Sequence, residues 1–199
     1  MTSTPDPATT PVAPRASVWN LPNALTVLRM LMVPLFLWLL LHASGDSEPH
    51  RWWAAVVFAV ASLTDWLDGD LARRRQLVTT FGKVADPIAD KALMGSALIG
   101  LSLLGELPWW VTVVILIREL GITVLRFWVI RQGVIAASKG GKLKTTVQAF
   151  GLLLLILPLT GILHSLGLWV MYAAVVVTVV TGVDYVVQAL RLRRDAASR

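Results

Sequence analysis

The sequence contains no cysteine, so the chain forms no disulfide and offers neither a thiol nucleophile nor a thiolate metal site. Charged residues are scarce at 15% of 199 residues, whereas a soluble domain carries roughly a quarter. Hydrophobic residues account for 56% and come in long blocks, which indicates an integral membrane protein. A formal net charge of +6 is compatible with nucleic acid or with an anionic membrane surface. Because the basic residues lie between apolar blocks, we expect membrane lipids and no nucleic acid as partners.

Six apolar segments follow one another along the chain. Each is long enough to cross a hydrocarbon core of about 30 Å as a helix, which needs roughly 20 residues. Continuous runs favour helices over barrel strands, because a helix satisfies its own backbone hydrogen bonds within the bilayer. The segments are predicted at about Leu21–His42, Trp52–Ala72, Val84–Gly105, Pro108–Ile130, Thr145–His164 and Gly167–Leu190. Short connections predict an all-α bundle of six transmembrane helices with antiparallel neighbours.

The basic residues alternate between the connections. Those after the second, fourth and sixth segments are basic: Arg73, Arg74, Arg75 and Lys83, then Arg131, Lys139, Lys142 and Lys144, then Arg191, Arg193 and Arg194. The other connections carry almost none, apart from Arg51 in the first. By the positive-inside rule, both termini and the basic loops are predicted to be cytoplasmic. The tryptophans near segment ends form a predicted interfacial belt: Trp52, Trp53, Trp109 and Trp110.

No linker divides the chain, so one domain is expected at residues 19–190. Residues 1–18 are rich in Pro, Thr, Ala and Ser and lack the charged start, apolar core and cleavage site of a signal peptide. We predict that this stretch is a disordered cytoplasmic tail. Residues 191–199 are predicted to form a basic cytoplasmic tail.

Four aspartates lie where the second predicted helix ends and the third begins: Asp65, Asp68, Asp86 and Asp90. The first two are three residues apart and the last two are four apart, so each pair shares a helix face. If the two helices pack side by side, the four carboxylates converge. Gly69, Ala72 and Gly82 are small and lie nearby, which leaves room for a ligand or a close backbone.

Four clustered carboxylates repel one another, and burying them unpaired is costly, so a cation is expected among them. Carboxylate oxygens without histidine or cysteine suit hard ions such as Mg²⁺, Mn²⁺ or Ca²⁺. Mg²⁺ binds through carboxylates together with substrate phosphate, which indicates phosphoryl-type chemistry. A lone aspartate near a helix end is more often a solvated cap or an ion-pair partner, and we interpret Asp70, Asp184 and Asp195 in this way.

Pro87 complicates the third helix, because it has no N–H and disfavours helical geometry at Asp86. Either Asp86 caps the helix with Pro87 at its first position, or the helix is kinked there. In both cases the relation between Asp86 and Asp90 is less direct than that between Asp65 and Asp68.

The pattern Asp65-x-x-Asp68-Gly69-x-x-Ala72-Arg73, then eight residues, then Gly82-x-x-x-Asp86-x-x-x-Asp90 resembles the complete signature of the CDP-alcohol phosphatidyltransferase family. Eight residues at fixed spacing make the resemblance specific. It implies a six-helix membrane enzyme, commonly a homodimer, whose active site faces the cytoplasm. It also implies a Mg²⁺ or Mn²⁺ site built from the four aspartates, with Asp90 as the catalytic base. The positions that the resemblance associates with the CDP-lipid are Asp65, Asp68, Gly69, Ala72, Arg73 and Gly82.

Three further stretches resemble the family branch that uses glycerol phosphate, although family members that make cardiolipin open similarly. They are Asn20-Leu21-Pro22-Asn23-Ala24-Leu25-Thr26-x-x-Arg29, Ile117-Arg118-Glu119 followed by Arg126, and Gly141-Lys142-x-Lys144-Thr145-Thr146-x-Gln148. The implied reaction transfers a phosphatidyl group from CDP-diacylglycerol to sn-glycerol 3-phosphate. Its products are phosphatidylglycerol phosphate and CMP, and it belongs to phospholipid biosynthesis at the cytoplasmic membrane.

A phosphorylated acceptor needs cations near its phosphate. The candidates are Arg118, Arg126, Lys142 and Lys144. A charge inside an apolar segment is energetically costly without a partner. The competing interpretation of Arg126 is therefore a structural ion pair with Glu119. For Lys142 and Lys144 the competing interpretation is that their charges set the orientation of the chain in the membrane and contact lipid headgroups.

Other activities fit parts of the same pattern. A cardiolipin synthase would use phosphatidylglycerol as the acceptor, and other members of the family would use inositol phosphate or serine. A cation transporter with the aspartates as its ion site would show ion flux and no CMP release. A structural membrane subunit would leave the four aligned aspartates unexplained.

Overall fold

A computed structural model describes the backbone of residues 21–75, 80–129 and 139–197, and the side chains of residues 24–64, 88–125 and 144–190. Within these ranges the chain is helical and has no strand, which confirms the predicted all-α class. A short 3₁₀ helix at His42–Gly45 follows the first helix. The six long helices are α1 Leu21–Leu41, α2 Glu48–Arg75, α3 Thr80–Leu103, α4 Trp109–Val129, α5 Lys139–Ile156 and α6 Ile162–Ala197. The predicted tail at residues 1–18 lies outside the described residues.

The break between α5 and α6 differs from the prediction. The fifth segment was predicted to reach His164, but α5 ends at Ile156 and His164 lies in the first turns of α6. Pro158 cannot donate to a helical hydrogen bond, and Gly161 adopts a left-handed φ of 65°. These two residues end the helix, although the apolar composition continues across the break.

The core lies between helices that pack in a bundle. α1 packs against both α2 and α3, α5 packs along α6, and α4 lies against α6. Phe36 of α1 and Phe58 of α2 are buried with their ring centroids 5.6 Å apart. Between α5 and α6 the approach is so close that a Cβ at Gly151 would lie 2.9 Å from Met171 Sδ. Small residues at such contacts let helices associate where lipid removes the hydrophobic driving force.

The outer faces of the helices are apolar. Leu31, Ile117, Val124 and Trp169, on three different helices, are each about two-thirds exposed. A soluble monomer rarely exposes large contiguous apolar patches, whereas lipid-facing helices do so along their length. Within the described ranges, the stretches Ala24–Gly45 and Ile162–Leu190 are each long and apolar enough to cross a membrane.

The two ends of the bundle differ in chemistry. At one end, Arg51 near the start of α2 contacts Ile156 at the end of α5 and Glu106 in the turn before α4. The predicted tryptophan belt lies at this end, with the four side chains exposed in the first turns of α2 and α4. We call it the Arg51 end. The signature residues lie at the opposite end, which we call the Asp90 end.

Arg51 is a correction to the sequence interpretation, which placed it in a connection. It lies inside α2 and is 8% exposed. Its Nε donates to the carbonyl of Ile156 at 3.0 Å, and its Nη2 donates to the carbonyl of Leu155. Its Nη1 donates to Glu106 Oε1 at 2.6 Å, and the other oxygen of that carboxylate lies 3.3 Å from His164 Nδ1. Arg51 therefore satisfies carbonyls that the end of α5 leaves without helical partners.

Candidate active site

The signature spans two helices that contact one another. Asp65 and Asp68 lie on α2, Asp86 and Asp90 lie on α3, and residues 76–79 connect the two. α3 begins at Thr80, so the alternative in which Asp86 caps this helix is wrong. The side chains of the other predicted signature residues lie outside the described set: Asp65, Asp68, Gly69, Ala72, Arg73, Gly82 and Asp86.

Asp90 lines a cavity of about 140 Å³ between α3, α4 and α5. Its lining contains both polar and apolar residues. The polar lining residues are Asp90, Lys91, Glu119, Lys144, Thr145 and Gln148. The remaining lining residues are Met94, Gly95, Leu98, Leu116 and Leu120. The structure thus brings Asp90 and the predicted phosphate-binding Lys144 to the same cavity.

Lys144 is a buried cation, only 5% exposed, on α5. Its Nζ donates to Glu119 Oε1, and its charge lies close enough to Asp90 for the two to attract. A lysine so buried is expected to have a charged partner, and here both partners line the cavity. The cavity therefore holds a cation near Asp90, the residue that is predicted to act as the catalytic base.

Arg118 contacts the same oxygen of Glu119 as Lys144 does, and it ties α4 to α6. Its Nη1 donates to Glu119 Oε1 at 3.1 Å and its Nη2 donates to Thr181 Oγ1 at 2.9 Å. Its Nε donates to the carbonyl of Thr178 at 3.2 Å. The Arg118 side chain packs over Gly182, where a Cβ would lie 3.2 Å from Arg118 Cγ. Protein groups thus use three donor atoms of this predicted phosphate-binding residue.

The other two predicted phosphate-binding residues are described only in their backbone. Arg126 lies near the end of α4 and Lys142 near the start of α5, and their side chains lie outside the described residues. The ion pair weighed between Glu119 and Arg126 is therefore untested. Among the described residues, the carboxylate of Glu119 accepts from Arg118 and Lys144.

Three polar residues at this end were not assigned to the site from the sequence. Glu119 joins two cations, and Lys91 Nζ donates to Thr123 Oγ1, which in turn donates to the Glu119 carbonyl at 2.7 Å. Gln148 is 3% exposed, and its Oε1 has no hydrogen-bond partner among the described residues. Two sequence signals were available for Gln148. It ends one of the stretches that resemble the glycerol phosphate branch, and it lies four residues after Lys144 and so shares its helix face.

The first helix adds a buried cation. Arg29 of α1 is 1% exposed, and Thr26 one turn earlier is equally buried. α1 packs on both α2 and α3, the helices that carry the signature. The resemblance of this segment to the opening of glycerol phosphate-using enzymes therefore corresponds to a buried polar face.

The donor set at the signature is suited to a hard divalent ion. Among the described residues no three carboxylate or imidazole groups form a metal site, because Asp90 is the only one of the four aspartates whose side chain is described. All four ligand candidates are carboxylates, which Mg²⁺ and Mn²⁺ prefer. The contact between α2 and α3 is the arrangement that such a shared site requires.

Comparison with known proteins identifies relatives across most of the chain. The family model for CDP-alcohol phosphatidyltransferase matches residues 19–180, a range that includes all eight signature positions. A Mycobacterium tuberculosis (strain H37Rv) protein named probable phosphatidylglycerophosphate synthase is 58% identical over 185 residues. That alignment covers 93% of this chain and 88% of the relative.

More distant relatives carry a related name. A Bacillus subtilis (strain 168) protein named CDP-diacylglycerol–glycerol-3-phosphate 3-phosphatidyltransferase is 40% identical, over 84% of this chain and 94% of its own. An Escherichia coli (strain K12) protein of the same name is 36% identical, over 83% of this chain and 88% of its own.

Proposed function

The chain belongs to the CDP-alcohol phosphatidyltransferase family, and from that membership we propose that it transfers a phosphatidyl group from CDP-diacylglycerol to sn-glycerol 3-phosphate. The products are phosphatidylglycerol phosphate and CMP, so the protein acts in phospholipid biosynthesis. The observation that carries the proposal is the complete signature in a chain whose relatives, at 36% to 58% identity, are named for this reaction.

The signature aspartates would hold the metal. Asp65, Asp68, Asp86 and Asp90 supply only carboxylate oxygens, and the family resemblance assigns them to Mg²⁺ or Mn²⁺. When bound, the ion supplies Lewis-acid polarisation of phosphate oxygens and offsets their negative charge. Gly69, Ala72, Arg73 and Gly82, together with Asp65 and Asp68, would contact the CDP portion of the lipid.

The cavity beside Asp90 would receive the acceptor. Lys144 and Asp90 both line it, so a phosphate at the lysine would leave the rest of a small molecule near the carboxylate. Glu119 offsets the charge of Lys144 before the acceptor arrives, and Arg118 reinforces the positive side of the pair. Arg126 and Lys142 complete the proposed set of phosphate-binding cations.

Asp90 would act as the general base. It accepts the proton of the acceptor's 1-hydroxyl group, and that oxygen forms a bond to the phosphorus that carries diacylglycerol. The bond between this phosphorus and the CMP oxygen breaks, and CMP leaves with the bonding electron pair. A positioned base of this kind contributes roughly 10²- to 10⁴-fold to the rate.

The membrane arrangement that we propose has six spanning helices, both termini and the Asp90 end in the cytoplasm, and two copies of the chain in a homodimer. The alternation of basic connections supports the orientation. The absence of native cysteine makes it testable with single introduced cysteines. A cysteine at Ser165 should react with an impermeant maleimide in intact cells, and one at Ser198 should react only after lysis.

The reaction is tested by CMP release from detergent-purified protein with CDP-diacylglycerol, Mg²⁺ and one acceptor at a time. We expect release with sn-glycerol 3-phosphate, its loss with EDTA, and its recovery when Mg²⁺ or Mn²⁺ is restored. Asp90→Asn should abolish release in a folded protein. The matched control is Asp184→Asn, because Asp184 is exposed on α6 and accepts a hydrogen bond from Gln188 at 2.8 Å.

The other outcomes of this assay separate the competing activities. Release only with phosphatidylglycerol would make the protein a cardiolipin synthase, and release with inositol phosphate would place it elsewhere in the family. Full activity in Asp90→Asn would contradict the assignment of the base. Ion flux without CMP release would support the transporter.

A further inference from the structure

Gln148 has a buried side-chain amide whose oxygen makes no hydrogen bond to the described residues. It lies on α5 and is 3% exposed. Leaving such a group unsatisfied costs as much as a lost hydrogen bond, so a buried amide that persists is expected to meet a ligand or water. Gln148 is also part of the cavity wall beside Asp90.

The position of Gln148 relates it to the two charged groups of the cavity. It lies one helical turn after Lys144, so the two side chains share a face of α5, and both line the cavity with Asp90. In the proposed reaction Lys144 attracts the acceptor's phosphate and Asp90 deprotonates the reacting hydroxyl. Glycerol 3-phosphate has one more polar group, the hydroxyl at carbon 2, which neither residue serves.

We propose that Gln148 recognises this second, non-reacting hydroxyl of the acceptor and thereby selects glycerol 3-phosphate over phosphorylated alcohols that lack it. The inference rests on the proposed function and assigns a specificity residue within the same site. An uncharged amide suits the task, because it both donates to and accepts from a hydroxyl without competing with Lys144 for the phosphate.

Selection follows from what happens when the hydroxyl is missing. An acceptor without it leaves the Gln148 amide buried and unpaired, whereas the true acceptor satisfies it. Sites built to hydrogen-bond a substrate hydroxyl discriminate more strongly than apolar pockets do, for this reason. For one neutral hydrogen bond we expect a preference of roughly 10- to 100-fold in kcat/KM.

The test compares two acceptors in two proteins. 3-Hydroxypropyl phosphate keeps the primary hydroxyl and the phosphate of glycerol 3-phosphate but lacks the hydroxyl at carbon 2. Wild-type protein should prefer glycerol 3-phosphate by the factor above. Gln148→Met, which has a similar size and no amide, should lose this preference by a fall in kcat/KM for glycerol 3-phosphate alone. Its activity with the analogue should stay within about twofold of wild type, because the analogue never engaged the amide.

The controls separate a binding role from a structural one. Gln188→Met removes an amide from α6, outside the cavity, and should leave both activities unchanged. If Gln148→Met does not fold, Gln148→Leu carries the same comparison. Activity with the analogue in either variant shows that the site is intact.

Three results would overturn the inference: no preference in the wild-type protein, an unchanged preference in both Gln148 variants, or an equal loss with both acceptors. The last result would mean that Gln148 shapes the cavity or contacts the phosphate. Wild-type protein that releases no CMP with either acceptor would instead refute the proposed function, so the two failures are distinguishable.

Discussion

Replacing Arg51 with methionine should destabilise the protein at the end of the bundle far from the aspartates. Arg51 donates to two carbonyls at the end of α5, those of Leu155 and Ile156, and to the carboxylate of Glu106. Methionine keeps most of the apolar stem and removes all three donors. The substitution therefore tests the hydrogen bonds rather than the packing.

The magnitude follows from the burial of the groups left behind. Leu155 and Ile156 are fully buried, so each carbonyl loses a partner at a cost of about 1–3 kcal/mol. The side chain of Glu106 is 24% exposed, so water and the neighbouring His164 offset part of its loss. We expect a total of about 3 kcal/mol, near the lower end for breaking a buried pair. For a chain of this size that corresponds to a fall in Tm of roughly 6–12 °C.

The assay is thermal unfolding of detergent-purified protein followed by intrinsic tryptophan fluorescence. Arg51→Lys should fall between wild type and Arg51→Met, because an ammonium group keeps the charge but cannot reach all three acceptors. Glu48→Gln, an exposed change in the first turn of α2, is the control and should shift Tm by less than about 2 °C. A similarly small shift for Arg51→Met would refute the reasoning, because it would show that the carbonyls find other partners.

Three further predictions concern the Asp90 end. Lys144→Met should raise KM for sn-glycerol 3-phosphate by roughly 10- to 100-fold with a smaller effect on kcat, as expected for loss of a charged phosphate contact. An unchanged KM would contradict the phosphate-binding role of Lys144. Glu119→Gln leaves Lys144 and Arg118 without their shared counter-charge and should lower Tm by roughly 2–6 °C, and an unchanged Tm would show that the pair is not needed for stability. Gly121→Ala should stabilise α4 by roughly 0.5–1 kcal/mol, because a Cβ there meets nothing within 4 Å. Gly182→Ala should not stabilise the protein, because its Cβ would lie 3.2 Å from the side chain of Arg118, which is held by its hydrogen bonds. Equal gains in stability for the two variants would contradict this prediction.

The helices were predictable because their cause is local. Long apolar runs must satisfy their backbone within a bilayer, so length and composition alone predict six helices. The break after α5 was missed because its cause is not a change in hydrophobicity. Pro158 and Gly161 end the helix through backbone geometry while the apolar composition continues, and a prediction based on hydrophobicity passes over them.

Charged side chains were harder to interpret, because the partner of a charge is set by packing. Arg51 was counted as a loop residue, yet it serves carbonyls more than 100 positions away in the chain. Arg118 was predicted to bind phosphate, and in the structure three of its donor atoms engage α4 and α6. Glu119 was weighed as the partner of Arg126, which stays a prediction, and the structure adds that its carboxylate accepts from Arg118 and Lys144.

The sequence by itself determined the membrane class, the helical fold and the family, because long apolar runs and the fixed spacing of the signature carry that information. Only the tertiary structure decided that Asp90, Lys144 and Gln148 line one cavity. Asp90 lies on α3 and the other two residues lie on α5, about 50 positions later in the chain, and the packing of α3 against α5 brings them together. Whether these residues can act on one substrate depends on distances between helices, and the sequence pattern of a single helix does not give those distances.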